Sequence, residues 1–223
     1  MLILFPSHPL DHRLVDSEFQ HEIREAREAG FKHNVFDLDL AEKGDEKSLS
    51  HAFRYVEENE YRGPAIYRGW MLSANQYATM YAYLHKLGIE LINDPTQYKH
   101  CHHLPENYPL IRDHSAQTEV LHIGTWDGLP FSSLSLADIQ ILERFAGKPV
   151  ILKDDVKSEK GYWKEACFIS DSSDFPNVLN TINKFLKLRG NRFTGNLVFR
   201  EYLELDASGV EPKSGRPLTD EYR

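Results

Sequence analysis

The sequence predicts an α/β fold, and three observations predict it. Through residues 1–92, short apolar runs alternate with amphipathic stretches of helical spacing, the order produced when crossover helices join parallel strands. Further on, runs at 149–153 and 162–169 read as an antiparallel hairpin, followed by a capped helix and a last strand. The chain has 223 residues, 41% of them hydrophobic and 12% aromatic. That suffices for one large domain or two small ones, and such a chain does not stay disordered.

Residues 1–5 form the first strand: the run is apolar, stops at Pro6, and lacks both the basic leader and the small-residue cleavage site of a secretory signal. A loop is expected over 6–15, then a helix on which Val15, Phe19, Ile23 and Ala26 recur at helical spacing, with Gly30 as its C-terminal cap. The alternation at 34–40 reads as a strand, and the charged stretch 40–62 carries a helix around Leu49, Phe53 and Val56. A strand at 64–70 runs into a loop. Ser73 then caps a helix with Tyr77, Met80, Tyr81, Leu84 and Leu87 on one face, closed by Gly88. A strand at 89–92 completes a Rossmann-like unit. Residues 93–112, rich in Asn, Pro, His and Tyr, read as a loop-dominated connection.

In the second half, Ser135 and Asp138 open a helix with Leu136, Ile139, Leu142 and Phe145 facing inward and Gly147 at its end. The hairpin that follows has a basic tip at 154–161. Asp174 caps a helix bearing Val178, Leu179, Ile182, Phe185 and Leu186, Gly190 ends it, and a strand at 196–205 leads into a polar, Gly/Pro-rich tail. The domain boundary is expected between residues 115 and 116.

Charge and composition narrow the function. A net charge of −8 repels phosphodiester backbones, so nucleic acid is disfavoured as a partner. No run of about 18 apolar residues spans a bilayer. Cys101 and Cys167 lack a paired spacing, which points to a reducing, cytoplasmic compartment.

The chemistry concentrates in two elements. At 150–163 a lysine, Lys153, emerges from an apolar strand into a loop carrying Lys157, Ser158, Lys160 and Gly161. Ammonium groups and backbone N–H donors so placed can surround a polyphosphate; the alternative is an exposed hairpin with solvated lysines. At 197–204, Arg200 and Glu201 interrupt an apolar strand, so they need partners, either a ligand or each other's neighbours in a structural ion pair.

These two elements, in this order and with a helix between them, resemble the ATP-grasp superfamily, and the resemblance covers most of the chain. The sequence is similar to a bacterial and phage clade of it. In that clade the Rossmann-like unit bears an Arg-Gly-Trp-Met-Leu segment, here Arg68, Gly69, Trp70, Met71 and Leu72, then an Asn-x-Pro-x-x-Tyr-like segment, here Asn93, Pro95 and Tyr98. The resemblance implies that Lys153 reaches the phosphates of ATP and that Lys157, Ser158, Lys160 and Gly161 form a mobile loop over them. Glu201, Tyr202 and Leu203 match the hinge whose backbone meets the adenine edge, Glu204 matches a ribose-binding position, and Arg200 matches the charged residue beside the hinge. It further implies activation of a small-molecule or peptide carboxylate by ATP as an acyl phosphate, attack by an amine, and Mg2+ bridging the phosphates. The fold so implied is a Rossmann-like unit over 1–115 followed by an ATP-grasp-type α+β domain over 116–223, incomplete at its C-terminus.

A Glu-x-Arg segment matches Glu221, Tyr222 and Arg223, and the resemblance gives Arg223 a catalytic role. The family continues from there into strands that supply metal ligands, which leaves the ligands unassigned. Two readings follow: a fragment of a longer ligase, or a catalytically incomplete nucleotide-binding or interaction protein. Asp206, Glu211 and Asp220 read as solvated tail residues. Arg68 and Arg112 each end an apolar segment and suit a forked bond to a substrate carboxylate or an internal salt bridge. His100, Cys101, His102 and His103 raise a metal-dependent hydrolase as a further class, although consecutive residues cannot easily converge on one ion. His8 and His12 lie after the first strand, where open α/β sheets bind ligands. Self-association is left open.

Overall fold

The computed structural model describes residues 1–58, 61–124 and 138–219. The chain divides into two compact units, Met1–Lys99 and His100–Arg223, which places residues 100–115 with the second.

The first unit is built on β1 (Leu2–His8), which carries β2 (Asp11–Val15) as an antiparallel hairpin arm. After α1 (Gln20–Glu28) the chain enters β3 (Lys32–Phe36), parallel to β1 from Leu2↔Lys32 to Pro6↔Phe36. Three short helices follow: α2 (Leu38–Lys43), α3 (Glu46–Ala52) and α4 (Arg54–Glu58). Then come β4 (Gly63–Tyr67) on the other side of β1, α5 (Ala74–Lys86), and β5 (Ile89–Leu91) beside β4. The parallel strands thus run in the order β3-β1-β4-β5.

Strand alternation sorts the side chains onto two faces. Leu2, Leu4, Phe36, Ala65, Ile89 and Leu91 pack in one cluster with Phe53, between α3 and α4, and with Tyr77, Met80 and Leu84 of α5. Phe5, on the opposite face, meets Phe19, Ile23 and Ala26. The chain makes its turns with the capping residues the sequence offers. Ser73 and Gln76 form a reciprocal capping box on α5. Gly30, at φ 75°, follows α1, and the Phe31 N–H reaches back to the Ala26 carbonyl at 2.9 Å.

Several expected boundaries shift. The first strand continues through Pro6 to His8, because an extended strand accepts proline's fixed φ and the Pro6 carbonyl still accepts the Asp16 N–H at 2.9 Å. Val15 belongs to the hairpin arm, with a 3-10 turn at Ser17–Phe19 before α1. The strand expected over 34–40 ends at Phe36, since the Asp37 carboxylate accepts the Leu40 N–H at 3.0 Å and starts α2. The expected loop at 93–112 holds two helices, α6 (Pro95–His102) and α7 (Leu104–Ile111). Asp94 and Gln97 exchange side-chain bonds with each other's N–H at 2.8 and 3.0 Å, and Pro95 suits the first helical position.

The second unit is a four-stranded antiparallel sheet in the order β6-β9-β7-β8. Its strands are β6 (Thr118–His122), β7 (Val150–Lys153), β8 (Phe168–Ile169) and, after α8 (Phe175–Arg189), β9 (Asn196–Glu201). One face is a continuous core: Val150, Leu152, Ile169, Leu197 and Phe199 pack on Val178, Ile182, Phe185 and Leu186 of α8 and on Ile139, Leu142 and Phe145. Each such side chain contributes about 1.5–3 kcal/mol on burial. The last three lie in a 3-10 segment, Asp138–Phe145, where an α-helix is expected; Ser135 and Leu136 fall outside the described residues.

The strand expected over 162–169 is mostly helical. A 3-10 turn at Lys160–Tyr162 and a π-helical turn at Trp163–Cys167 precede only two paired residues, Ile169 opposite Val150 and Phe168 opposite Ile151. The strand expected to reach 205 stops at Glu201. The tail forms a hairpin of its own, β10 (Ala207–Val210) and β11 (Pro217–Thr219), stabilised where Glu211 accepts from Ser214.

Candidate functional site

The strand registers place the candidate residues on the sheet of the second unit. Lys153 lies opposite Val198 and Ile151 opposite Arg200, so Lys153 and Arg200 are diagonal neighbours on the face away from α8. Phe168 shares that face through its pairing with Ile151. One residue beyond β9, the Tyr202 ring meets Phe168 at 5.1 Å and Trp163 at 6.1 Å, both edge-on, and Trp163 stacks on Phe168 at 5.4 Å. An ammonium, a guanidinium and an aromatic cluster therefore follow one another along one face.

Lys153 sits where β7 turns into its loop. Its Nζ donates to the Asp154 and Asp155 carbonyls at 2.8 and 3.0 Å. Burial lowers its pKa to about 8, against the opposing pull of the Asp154 and Asp155 carboxylates; Arg200 and Arg189 reinforce the drop. The loop beyond it is anchored from below. Asp154 is fully buried: one carboxylate oxygen accepts the Val156 and Lys157 N–H groups at 2.9 and 2.6 Å, and the other meets Arg189 at 2.8 Å. Arg189, 7% exposed, also bonds Glu159 at 3.2 Å and the Arg192 carbonyl at 3.1 Å. Both buried charges are thus fully partnered, the condition under which burial is tolerated. Asp155 is fastened through its N–H to Thr194, its carbonyl to the Leu104 N–H, and its carboxylate to His103 at 3.3 Å.

From this base the loop presents Lys157, Lys160 and Gly161 to solvent, with Ser158 half-buried. A Cβ added to Gly161 meets nothing within 4 Å. On the other side of the face, the Glu201 carboxylate points toward Lys148, 2.8 Å away. The Glu201 and Tyr202 N–H groups donate to the Gln117 and Pro149 carbonyls. Arg200 donates to the Ser115 hydroxyl at 2.9 Å, and Leu203 and Glu204 are exposed.

Other candidates lie elsewhere. Arg68, in the first unit, holds Glu22 in a fork at 2.5 and 2.6 Å and lies over the Phe19 ring. Arg112 pairs with its neighbour Asp113 at 3.6 Å. Asp220, Glu221, Tyr222 and Arg223 lie outside the described residues. The histidine run does not make a metal centre: among the described residues no three His, Cys, Asp or Glu side chains are grouped to hold an ion. His103 pairs with Asp155 and Cys101 is exposed.

The anchoring residues Asp154, Glu159 and Arg189 escape a reading of the sequence by residue type. One signal was there: Arg189 continues the buried stripe Val178, Ile182, Phe185 of α8 at helical spacing, where an unpaired arginine is not tolerated.

Among the described residues no helix is long and apolar enough to cross a membrane. Residues 144–223 match a family described as an ATP-grasp domain, family 3 of its clade. A search of curated protein sequences finds no relative. Among solved structures, D-cycloserine synthetase is similar at TM-score 0.50 and 12% identity, over 91% of this chain and 60% of that one. D-alanine–D-alanine ligase from Bacillus anthracis has TM-score 0.48 and 12% identity, over 91% and 56% of the two chains. A RimK-domain ATP-grasp protein from Sphaerobacter thermophilus has TM-score 0.49 and 10% identity, over 92% and 66%. The chain thus spans under two thirds of the length of these proteins. The family match begins just before β7 and takes in the loop, α8 and β9, so residues 144–223 carry the likeness to an ATP-grasp domain, while the architecture of the chain is one shared with D-cycloserine synthetase.

Proposed function

We propose that the second unit binds ATP along the face away from α8, and that the protein is an ATP-dependent ligase joining a small-molecule or peptide carboxylate to an amine. The observation that carries this reading is the single face shared by Lys153, Arg200 and the Tyr202 aromatic cluster. Four strand residues separate the level of Lys153 from that of Tyr202, about 13 Å, a span that suits an extended nucleoside triphosphate. The purine lies against Trp163, Phe168 and Tyr202. With the N–H groups of Glu201 and Tyr202 already committed, donation to the adenine edge falls to Leu203, and the exposed Glu204 meets the ribose. Lys153 and Arg200 meet the phosphates, and Lys157, Ser158 and Lys160 close from the anchored loop.

In the reaction a substrate carboxylate oxygen attacks the γ-phosphorus and ADP leaves. The amine nitrogen then attacks the carbonyl carbon of the acyl phosphate, inorganic phosphate leaves with the bonding pair, and the nitrogen loses a proton. Arg68, in the first unit, presents to Glu22 the forked geometry that a free carboxylate would also take. Magnesium neutralises phosphate charge in chemistry of this kind, but the described residues offer no group of three ligands for it, so no ligand is assigned and no step runs through it.

Calorimetric titration with ATP tests the reading. Lys153→Met is expected to weaken binding about 10–100-fold, whereas Lys43→Met, at an exposed position of α2, leaves it unchanged. Equal affinity for wild type and Lys153→Met overturns the nucleotide site. Intact ATP binding with no ADP release across a panel of acids and amines overturns the ligase assignment and leaves a non-catalytic nucleotide-binding protein.

A further inference from the structure

The last residue of the run His100, Cys101, His102 and His103 lies in the second unit, beside the base of the lysine loop. His103 occupies the N-cap position of α7 without capping it, since its side chain makes no bond to the helix start. The ring turns instead to Asp155, with Nδ1 3.3 Å from Oδ2. A carboxylate can only accept, so Nδ1 carries the proton and Nε2 holds the lone pair. Nε2 has no partner among the described residues, and the His103 side chain keeps 15% of its surface exposed.

Asp155 ties this ring to Lys153. Its carbonyl accepts the Lys153 ammonium at 3.0 Å and the Leu104 N–H at 2.9 Å, so the ammonium and the residue next to His103 bind one oxygen. The Asp155 side chain is 5% exposed, and its Oδ1 is buried with no hydrogen-bond partner. For holding a neutral imidazole alone, such a carboxylate is a poor choice, because an amide oxygen would do the same without leaving a buried charge short of donors. The arrangement becomes favourable when the ring turns positive, since the imidazolium then balances that charge. One turn along α7, on the same face of the helix, Asn107 Oδ1 is a second buried acceptor without a partner. Its amide nitrogen is held by the His100 carbonyl at 3.2 Å, so the oxygen cannot exchange places with it at no loss.

We propose that His103 is the base that takes the proton from the amine in the ligase reaction, with Asp155 as the residue that positions it. The proposal rests on the ligase reading above, in which the attacking nitrogen must lose a proton. As that nitrogen bonds to the carbonyl carbon of the acyl phosphate, its N–H proton passes to His103 Nε2 and inorganic phosphate leaves with the bonding pair. Asp155 balances the imidazolium until the proton passes on to water. The charged groups nearest the ring are Asp155 itself and, through the shared carbonyl, Lys153; His102 and Glu106 flank it along the chain.

Long-range proton–nitrogen magnetic resonance spectra of the full chain at pH 8, with the His103 ring assigned from His103→Gln, test the placement. A protonated Nδ1 and an unprotonated Nε2 are expected, with the Nε2 resonance shifting on saturation with AMP-PNP and the tautomers mixing in Asp155→Asn. The wild-type spectra decide even where Asp155→Asn does not fold. A ring protonated at Nε2, or one unmoved by nucleotide that calorimetry shows to be bound, overturns the proposal and leaves the nucleotide site standing. Turnover gives the second readout. With an acid and amine that release ADP, His103→Gln is expected to lower kcat about 100–10,000-fold with KM for ATP unchanged, and His103→Ala to regain rate on adding imidazole. Wild-type kcat in His103→Gln fails this proposal alone; no ADP release with any acid and amine fails the ligase reading and this proposal with it.

Discussion

Lys153 carries two opposite dependences on pH. Its ordinary value of 10.5 falls to about 8 in the folded chain, with burial as the leading cause. Phosphate binding uses the ammonium form, so ATP affinity is expected to be level below pH 8 and to fall about tenfold per unit above it. Calorimetry at pH 7, 8 and 9 checks this, with Lys153→Met giving a flat profile. Stability runs the other way: between pH 8 and 10.5 the unfolded chain keeps a proton that the folded chain has released, so this group makes folding more favourable as pH rises through that window. Arg189 acts through the fold instead. Replacing it by Met leaves Asp154 buried and unpaired, and chemical denaturation should show a loss of about 3–5 kcal/mol. The placement of Lys153 at a strand end, with lysines in the loop after it, was legible in the sequence because the apolar run that makes β7 stops at that residue. Asp154 was not: an acid after an apolar strand reads as a solvated turn until its partner 35 positions away is known.

Helix caps and hydrophobic spacing were legible wherever a local rule decided the outcome, as at Ser73, Asp174 and Gly30. Where tertiary contact decided it, they misled. The stretch 162–169 has strand-forming residues, yet Trp163, Ala166 and Cys167 turn inward at the π-helical turn and leave only Phe168 and Ile169 to pair. The helices at 95–111 were hidden by their prolines, which read as breakers although Pro95 and Pro105 occupy opening turns. The π-helical turn has a chemical readout. Burial pushes the Cys167 thiol up to about 12, with a contact from the Ser158 hydroxyl opposing, while Cys101 is exposed. A thiol reagent at pH 8 should therefore modify Cys101 alone in the native protein and both thiols in denaturant. Native labelling of Cys167, read by peptide mass, would show that this turn opens readily.

Each unit encloses its own apolar core, so the order of strands and helices along the chain sufficed to anticipate an α/β protein. Strand register stayed invisible, because no local pattern says which strand β9 joins, and register is what brings Lys153 and Arg200 together. The charge distribution follows the same division of labour. A net charge of −8 repels polyanions in general, while the face bearing Lys153 and Arg200 concentrates cations locally, an arrangement that fits the nucleotide site proposed there. The open space around Gly161, at the outer end of a loop whose base is pinned by Asp154, has a practical consequence. A cysteine introduced there, in a Cys101→Ser background, offers an attachment point for a fluorophore that disturbs no neighbour, and its emission would report in real time whether the tip folds down when triphosphate arrives.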